Sequence, residues 1–292
     1  MEYMRDDLED SYGIIKLQNS ILRIADYIDN VCTKNNIDYY LMGGSALGAI
    51  RHGGFITWDD DLDIFMKPLD YDKFKKIIQN NESDDGFYLQ ELTHRNGMVA
   101  SAKMRLNNSS YIEEATKDWN IHQGIFVDIF ILHNCPNSLF LQFIQCMAAK
   151  YILIKGQSLK NVKYNGFKKI LTAVFKLMPK NLGIKSALRV LYAFDKKDTK
   201  YVCHFMGKAF FKKGIYQKKF FENPVRVSFE KVILNVPSNT DEYLRDRFGD
   251  YMKLPPATSI KQAQHAWKWS TSTDFTEYVN KERNFEDEKY YV

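Results

Sequence analysis

A chain of 292 residues with 45% hydrophobic and 26% charged content can bury a sizeable core, as one large domain or a domain with an appendage, which excludes a disordered or fibrous protein. Its four cysteines, Cys32, Cys135, Cys146 and Cys203, form no C-x-x-C pair, which excludes a disulfide scaffold and a standard zinc site and fits a reducing cytosol. The net charge of +5 is unevenly placed: residues 150–219 carry 18 Lys and Arg against two acids, Asp195 and Asp198, so the rest of the chain is net acidic.

The N-terminus, Met1-Glu2-Tyr3-Met4-Arg5-Asp6-Asp7, is acidic and polar and does not read as a secretory leader, so a cytoplasmic protein is expected. An amphipathic helix is predicted over about 11–35, followed by a short strand at 39–42. Gly43-Gly44-Ser45 then makes a tight turn into a short helix, Ala46-Leu47-Gly48-Ala49-Ile50. Backbone amides at such a turn can cradle phosphate, with Gly44 and Ser45 as the contacts; Ser45 either donates to phosphate or caps the helix.

Next comes the most informative stretch, Trp58-Asp59-Asp60-Asp61-Leu62-Asp63-Ile64, which places four carboxylates in five positions. Adjacent like charges repel, and holding them near a fold's interior needs a compensating cation. A strand predicted over 61–66 would turn Asp61 and Asp63 to one face and Leu62 and Ile64 to the core. Two carboxylates so placed suit a hard divalent ion. Asp59 shares that face if the strand starts early, as a ligand or a base, whereas Asp60 points the other way and reads as a loop or capping residue. Arg51 contacts substrate phosphate or forms a salt bridge to the aspartates, and His52 of the same turn contacts substrate or is a hydrogen-bonded structural residue rather than a base.

A helix over 70–80 precedes strands at 87–92, 98–106 and 125–131. In the second of these, Lys103 and Arg105 face one side, toward the donor phosphates or toward solvent. In the third, Asp128 stands alone in Ile125-Phe126-Val127-Asp128-Ile129-Phe130-Ile131. A lone charge there is costly, so it either completes the acidic site or pairs with a buried Arg or Lys. Leu139–Ile154 reads as a buried or interfacial helix, too short to span a bilayer. Phe167, Ile170, Leu171, Val174, Phe175 and Met178 follow helical spacing between lysines, either packed on the core or lying on an anionic membrane surface. Cys203-His204 has no second ligand pair and reads as structural. Short strands near 226–229 and 232–236, a helix over 239–248 and the loop Asp250–Pro256 close the chain, where Tyr251 either stacks on a base or a trimethylammonium group or simply packs. No nucleic-acid motif accompanies the basic block, and nucleic acid is not an expected partner.

The run from Gly43 to Ile64, together with Gly124-Ile125-Phe126-Val127-Asp128-Ile129-Phe130 and Tyr243-Leu244 through Phe248-Gly249-Asp250 to Pro256, resembles the LicD family of phosphotransferases, related to fukutin, within the nucleotidyltransferase superfamily. The matches span about residues 37–265, with Thr57 standing where the family usually has proline and Phe248 where tyrosine is common. The resemblance implies an α/β (α+β) fold: a nucleotidyltransferase-like mixed sheet core over 11–135 flanked by helices, a basic helical insertion over 138–220, and 221–292 completing a single domain. It implies Mg²⁺ (Mn²⁺ as the alternative) on Asp61, Asp63 and Asp128. It also implies a CDP-linked donor, CDP-choline foremost, and a bacterial surface glycan or lipid-linked glycan as acceptor. A nucleotidyltransferase acting on an NTP and a non-catalytic binding protein are the competing classes.

Overall fold

The computed structural model describes residues 2–80, 86–93, 99–114, 117, 121–156, 173, 183–207, 210–256, 265–278 and 290–291. In chain order these form α1 (Ile15–Lys34), β1 (Tyr40–Leu41), α2 (Gly43–His52), β2 (Asp63–Met66), α3 (Pro68–Asn80), β3 (Phe87–Thr93), β4 (Val99–Leu106), β5 (Ser110–Glu113), β6 (Phe126–Ile131) and β7 (His133–Cys135). There follow α4 (Leu139–Gly156), α5 (Ile184–Tyr192), β8 (Tyr201–Cys203), β9 (Ile215–Gln217), β10 (Val225–Phe229), β11 (Val232–Val236), α6 (Thr240–Phe248), β12 (Ala266–Ser270) and β13 (Tyr290–Tyr291). The expected α/β class is observed. The helix expected over 167–178 lies outside the described residues, and among those described no helix is long and apolar enough to cross a membrane.

Six strands make the main sheet, in the order β1-β2-β6-β4-β3-β13. β1 and β2 are antiparallel, with Tyr40 opposite Phe65 and Leu41 opposite Ile64, while β13 lies parallel to β3. β2 starts at Asp63, two residues later than the sequence suggests. Asp61 therefore belongs to the preceding loop, yet the alternation survives: Leu62 and Ile64 are buried, and the amide of Asp128 donates to the Leu62 carbonyl at 3.0 Å.

The chain divides into two compact units, and it passes between them within β3, β4 and β6. The first comprises residues 1–90, 103–129 and 219–288. There α1 buries Leu17, Ile21, Leu22, Ile24 and Ile28 at helical spacing. Its start is held by Asp10, whose Oδ1 accepts the amides of Ile14 and Ile15. Tyr40, Phe65, Phe221 and Tyr243 pack edge to face at 5.4–5.7 Å. Asp29 accepts the guanidinium of Arg226 and the hydroxyl of Tyr39, which ties α1 to β10.

The second unit comprises residues 91–102, 130–218 and 289–292. Its core joins Cys135, Cys146, Ala149 and Ile152 to Leu188, Leu191, Cys203 and Phe205. All four cysteines of the chain are free and buried, and His204 packs its ring on Phe130 at 4.6 Å, as a structural pair should.

Candidate active site

The acidic residues gather within the first unit. Their scaffold begins at Gly43, which starts α2 with φ +52°, a left-handed conformation that favours glycine. Its amide donates to the Tyr243 hydroxyl at 3.0 Å. Met42, not Ser45, is the N-cap residue, and no side chain caps the helix. Ser45 instead accepts the amide of Asp63 at 2.9 Å, so its hydroxyl fixes the first residue of β2 and still has its own proton to give. A Cβ on Gly44 would stand 3.0 Å from Asp59 Oδ2, so this glycine lets the helix approach the carboxylate.

The loop from α2 to β2 is clamped from a distant hairpin. Glu230, at the turn between β10 and β11, accepts the amide of Phe55 at 3.0 Å and the guanidinium of Arg5 at 2.9 Å. This delivers the chain to Asp59, whose amide bonds the Ile56 carbonyl while Gln18 donates to its own carbonyl.

Four carboxylates then repel one another. Asp63 is pushed well above the ordinary carboxylate range, by burial first and then by Asp61, Asp128 and Asp59. Burial likewise raises Asp59, with Asp61 and Asp60 adding to it. Asp61 is raised to about 6, by burial first; Asp128 and Asp60 push it further while His265 and Lys103 oppose. Asp128 is raised by burial against the pull of Lys103. Such raised values, clustered in one place, are what a polyanionic pocket made for cations or proton transfer shows.

Asp128 raises Asp61 and Asp63 by its charge and has a cation of its own. It joins the acidic group, and it is paired with Lys103, whose Nζ lies 3.0 Å from Oδ1 and 3.2 Å from Oδ2. Lys103 also lies 3.8 Å from Glu113 and over the ring of Phe126 at 3.4 Å to the centroid. Arg105 shares that face, as the strand pattern predicts, but it is buried and spent on structure: it donates to Gln90 and to the Gly124 carbonyl at 2.7 Å each. A guanidinium so engaged does not point to a phosphate.

Three other candidate residues take protein partners. Arg51 bonds neither aspartate; it donates to the carbonyls of Tyr251, at 2.6 Å, and Lys253, at 3.4 Å, and so fastens the loop after α6. Tyr251 is buried, with its hydroxyl on Asp241 and Arg245 over its ring, so it packs rather than stacks on a ligand. His52 stands edge-on to Trp58 at 6.3 Å, and burial, Arg51 and Arg5 keep it neutral, in keeping with a structural role.

Asp60 is the largest surprise. It is fully buried, and it accepts the amides of His265 and Ala266 at 2.8 and 3.0 Å and the His265 ring at 3.1 Å. Burial would raise it, but these bonds outweigh burial and hold it below the usual range. His265 Nδ1 is also 3.4 Å from Asp61 Oδ2. Among the described residues, the group whose ligand atoms all lie within 4.8 Å of one another is Asp60, Asp61 and His265, not the expected trio of Asp61, Asp63 and Asp128. Nothing near Asp60 in the sequence signals His265; Glu113 ends a four-residue strand too short to show its alternation.

Three known proteins and one family model are similar to this chain in sequence. Residues 36–137 match the family described as LicD/FKTN/FKRP, nucleotidyltransferase domain. The chain is 28% identical over 268 residues to the lipopolysaccharide cholinephosphotransferase LicD of Haemophilus influenzae, covering 82% of this chain and 91% of that one. It is 41% identical over 59 residues to an uncharacterised protein of Rickettsia typhi, 20% of this chain and 19% of that one. A protein of Rickettsia prowazekii is 28% identical over 118 residues, covering 40% and 35% respectively.

Proposed function

We propose, from the match of residues 36–137 to the LicD/FKTN/FKRP nucleotidyltransferase domain, that the protein is a metal-dependent phosphotransferase that moves phosphocholine from CDP-choline to a hydroxyl of a bacterial cell-surface glycan. The transferase class follows the Haemophilus relative, whose similarity extends over most of both chains. The observation that carries the metal dependence is the set of four mutually repelling carboxylates, Asp59, Asp61, Asp63 and Asp128, of which Asp128 is paired to Lys103.

That donor set fits a hard divalent ion such as Mg²⁺, since all four are anionic oxygens and binding would relieve their repulsion. Asp61 and Asp63 are the ligands we assign, with Asp60 and His265 flanking them. The ion, when bound, supplies charge neutralisation for the donor diphosphate. The chain's own residues do the rest. The Gly44 amide and the hydroxyl proton of Ser45 are the donors we assign to phosphate oxygens at the start of α2, the Gly43 amide being held by Tyr243. Asp128, held by Lys103, accepts the proton of the acceptor hydroxyl as its oxygen bonds to phosphorus and the bond to the CMP oxygen breaks.

Purified protein is incubated with Mg²⁺ and CDP-choline, CDP-ethanolamine, CDP-glycerol or CDP-ribitol, with and without a glycan extract, and CMP is followed by mass spectrometry. CMP from CDP-choline, abolished by Asp61→Asn and by chelator, is the expected result. Pyrophosphate released from an NTP instead would replace this reading with nucleotidyl transfer, the chemistry of the superfamily to which the matched domain belongs.

A further inference from the structure

In the second unit, α4 is oriented against its own composition. Leu139 and Phe140 are 63% and 71% exposed, and Leu141, Phe143 and Ile144 also face solvent. The polar residues of the same turns go inward. Gln142 is buried and donates to the Pro136 carbonyl at 2.8 Å. Gln145 is fully buried and donates to the carbonyls of Asn134 and Leu191 at 3.0 and 2.9 Å. Rotating the helix to cover Phe140 would carry both amides away from the carbonyls of Pro136, Asn134 and Leu191, and buried acceptors left unmet are costly. The exposure is therefore built in, and a contiguous apolar patch maintained this way marks a surface that something covers.

The rim of the patch is cationic. The ring of Phe211 meets Phe143 at 5.5 Å, and the two residues that follow it, Lys212 and Lys213, are exposed. At the start of the helix the Lys200 amide donates to Asn137 at 3.1 Å, and Asn134 donates to the Lys197 carbonyl at 3.0 Å; both lysines are exposed. The acids nearby are engaged: Asp195 by His133 and Asn134, Asp198 by Lys218.

We propose that the first two turns of α4 dock on an anionic lipid bilayer, the apolar side chains entering the interfacial layer and Lys197, Lys200, Lys212 and Lys213 meeting headgroup phosphates. Aliphatic and aromatic residues ringed by lysine suit that boundary. Lysine is depleted at protein–protein interfaces and arginine is enriched there, so the rim argues against a protein partner. The surface needs neither the donor nor the catalytic reading to hold.

The test is cosedimentation of the full chain with vesicles of phosphatidylcholine alone or mixed with phosphatidylglycerol. Wild type should pellet with the mixed vesicles and be released by high salt. Leu139→Glu/Phe140→Glu, at positions already more than half exposed, should melt like wild type yet bind about tenfold more weakly or less, as should Lys212→Glu/Lys213→Glu. Wild type left in the supernatant, or either variant binding undiminished, overturns the proposal. So does a concentration-dependent dimer that Leu139→Glu/Phe140→Glu dissolves, which would give the patch to a second copy of the chain.

Discussion

Asp60 and His265 stand 205 residues apart in the chain and are joined twice, the amide of His265 reaching Oδ2 at 2.8 Å and its ring nitrogen reaching Oδ1 at 3.1 Å. With the Ala266 amide added, one buried carboxylate fixes where β12 begins. It also brings an imidazole to Asp61, at the edge of the acidic group.

Removing that carboxylate orphans two amides at once. Asp60→Ala should cost about 1–2 kcal/mol, since Asp60 is buried but water can partly meet the two donors it releases. Denaturant melts measure the loss, and hydrogen exchange at His265 and Ala266 locates it. A change under about 0.5 kcal/mol, the range of neutral surface substitutions, would mean that these bonds are not what holds the strand.

The carboxylates of Asp61 and Asp63 act in the opposite sense. Burial and like charge both oppose their ionised forms, Asp63 most of all, so Asp63→Asn should stabilise the metal-free protein. The same variant should lose transfer activity, a trade typical of sites that store electrostatic cost for function. Added Mg²⁺ should raise the melting temperature of wild type and leave the variant little changed. A variant that is both less stable and equally responsive to Mg²⁺ contradicts the assignment of Asp63 as a ligand.

Lys103 counters this repulsion, and its loss should show the charge it carries. Lys103→Met leaves Asp128 and Glu113 without their cation; with a quarter of the lysine side chain exposed, the cost is set at about 1–3 kcal/mol. Mg²⁺ should recover part of that loss. Equal melting of variant and wild type in chelator would remove Lys103 from the account.

Much of this centre is legible in the sequence because its cost is. Four carboxylates beside Ile64-Phe65-Met66, and Asp128 alone among apolar neighbours, announce themselves by conflicting with their surroundings. The main strands and helices are legible too, through alternation and helical spacing. What sequence does not carry is the choice among partners. The alternation of β4 puts Lys103 and Arg105 on one face, but only the fold shows that Gln90 and the Gly124 carbonyl claim the arginine. Arg51 and Tyr251 sit in the right segments, yet they bond one another's neighbourhood instead of a ligand. β7, β8 and β9, at three residues each, are too short to show any period.

The clamp on the loop before Asp59 gives a non-additive prediction. A Cβ on Gly54 would lie 1.7 Å from Glu230 Oε1, far inside non-bonded contact, so Gly54→Ala must displace the carboxylate. The Phe55 amide and Arg5 then lose their acceptor together. Gly54→Ala and Glu230→Ala should each cost about 2–4 kcal/mol, and the double variant should cost little more than either, because the second change removes what the first has displaced. Additive costs in a double-mutant cycle would show that the two residues act separately.

His122 makes stability depend on pH well away from the carboxylates. Its Nδ1 accepts the Gly124 amide at 3.1 Å, so its proton sits on Nε2 and is directed at Asn107 Oδ1, 3.0 Å away. The ring is sandwiched by Tyr88 and Phe275 at 5.0 and 4.4 Å. Burial, with Arg105 adding, lowers it from 6.5 to about 3. The unfolded chain therefore binds a proton that the folded chain refuses between those two values. The stability due to neutral His122 is complete above pH 6.5 and is lost as pH falls toward 3, with a slope of up to about 1.4 kcal/mol per pH unit. His122→Gln keeps an acceptor and a donor but no titration, so melts taken between pH 7 and about 4 should fall less steeply for the variant. Parallel curves for the two proteins would show that another group controls the acid limb.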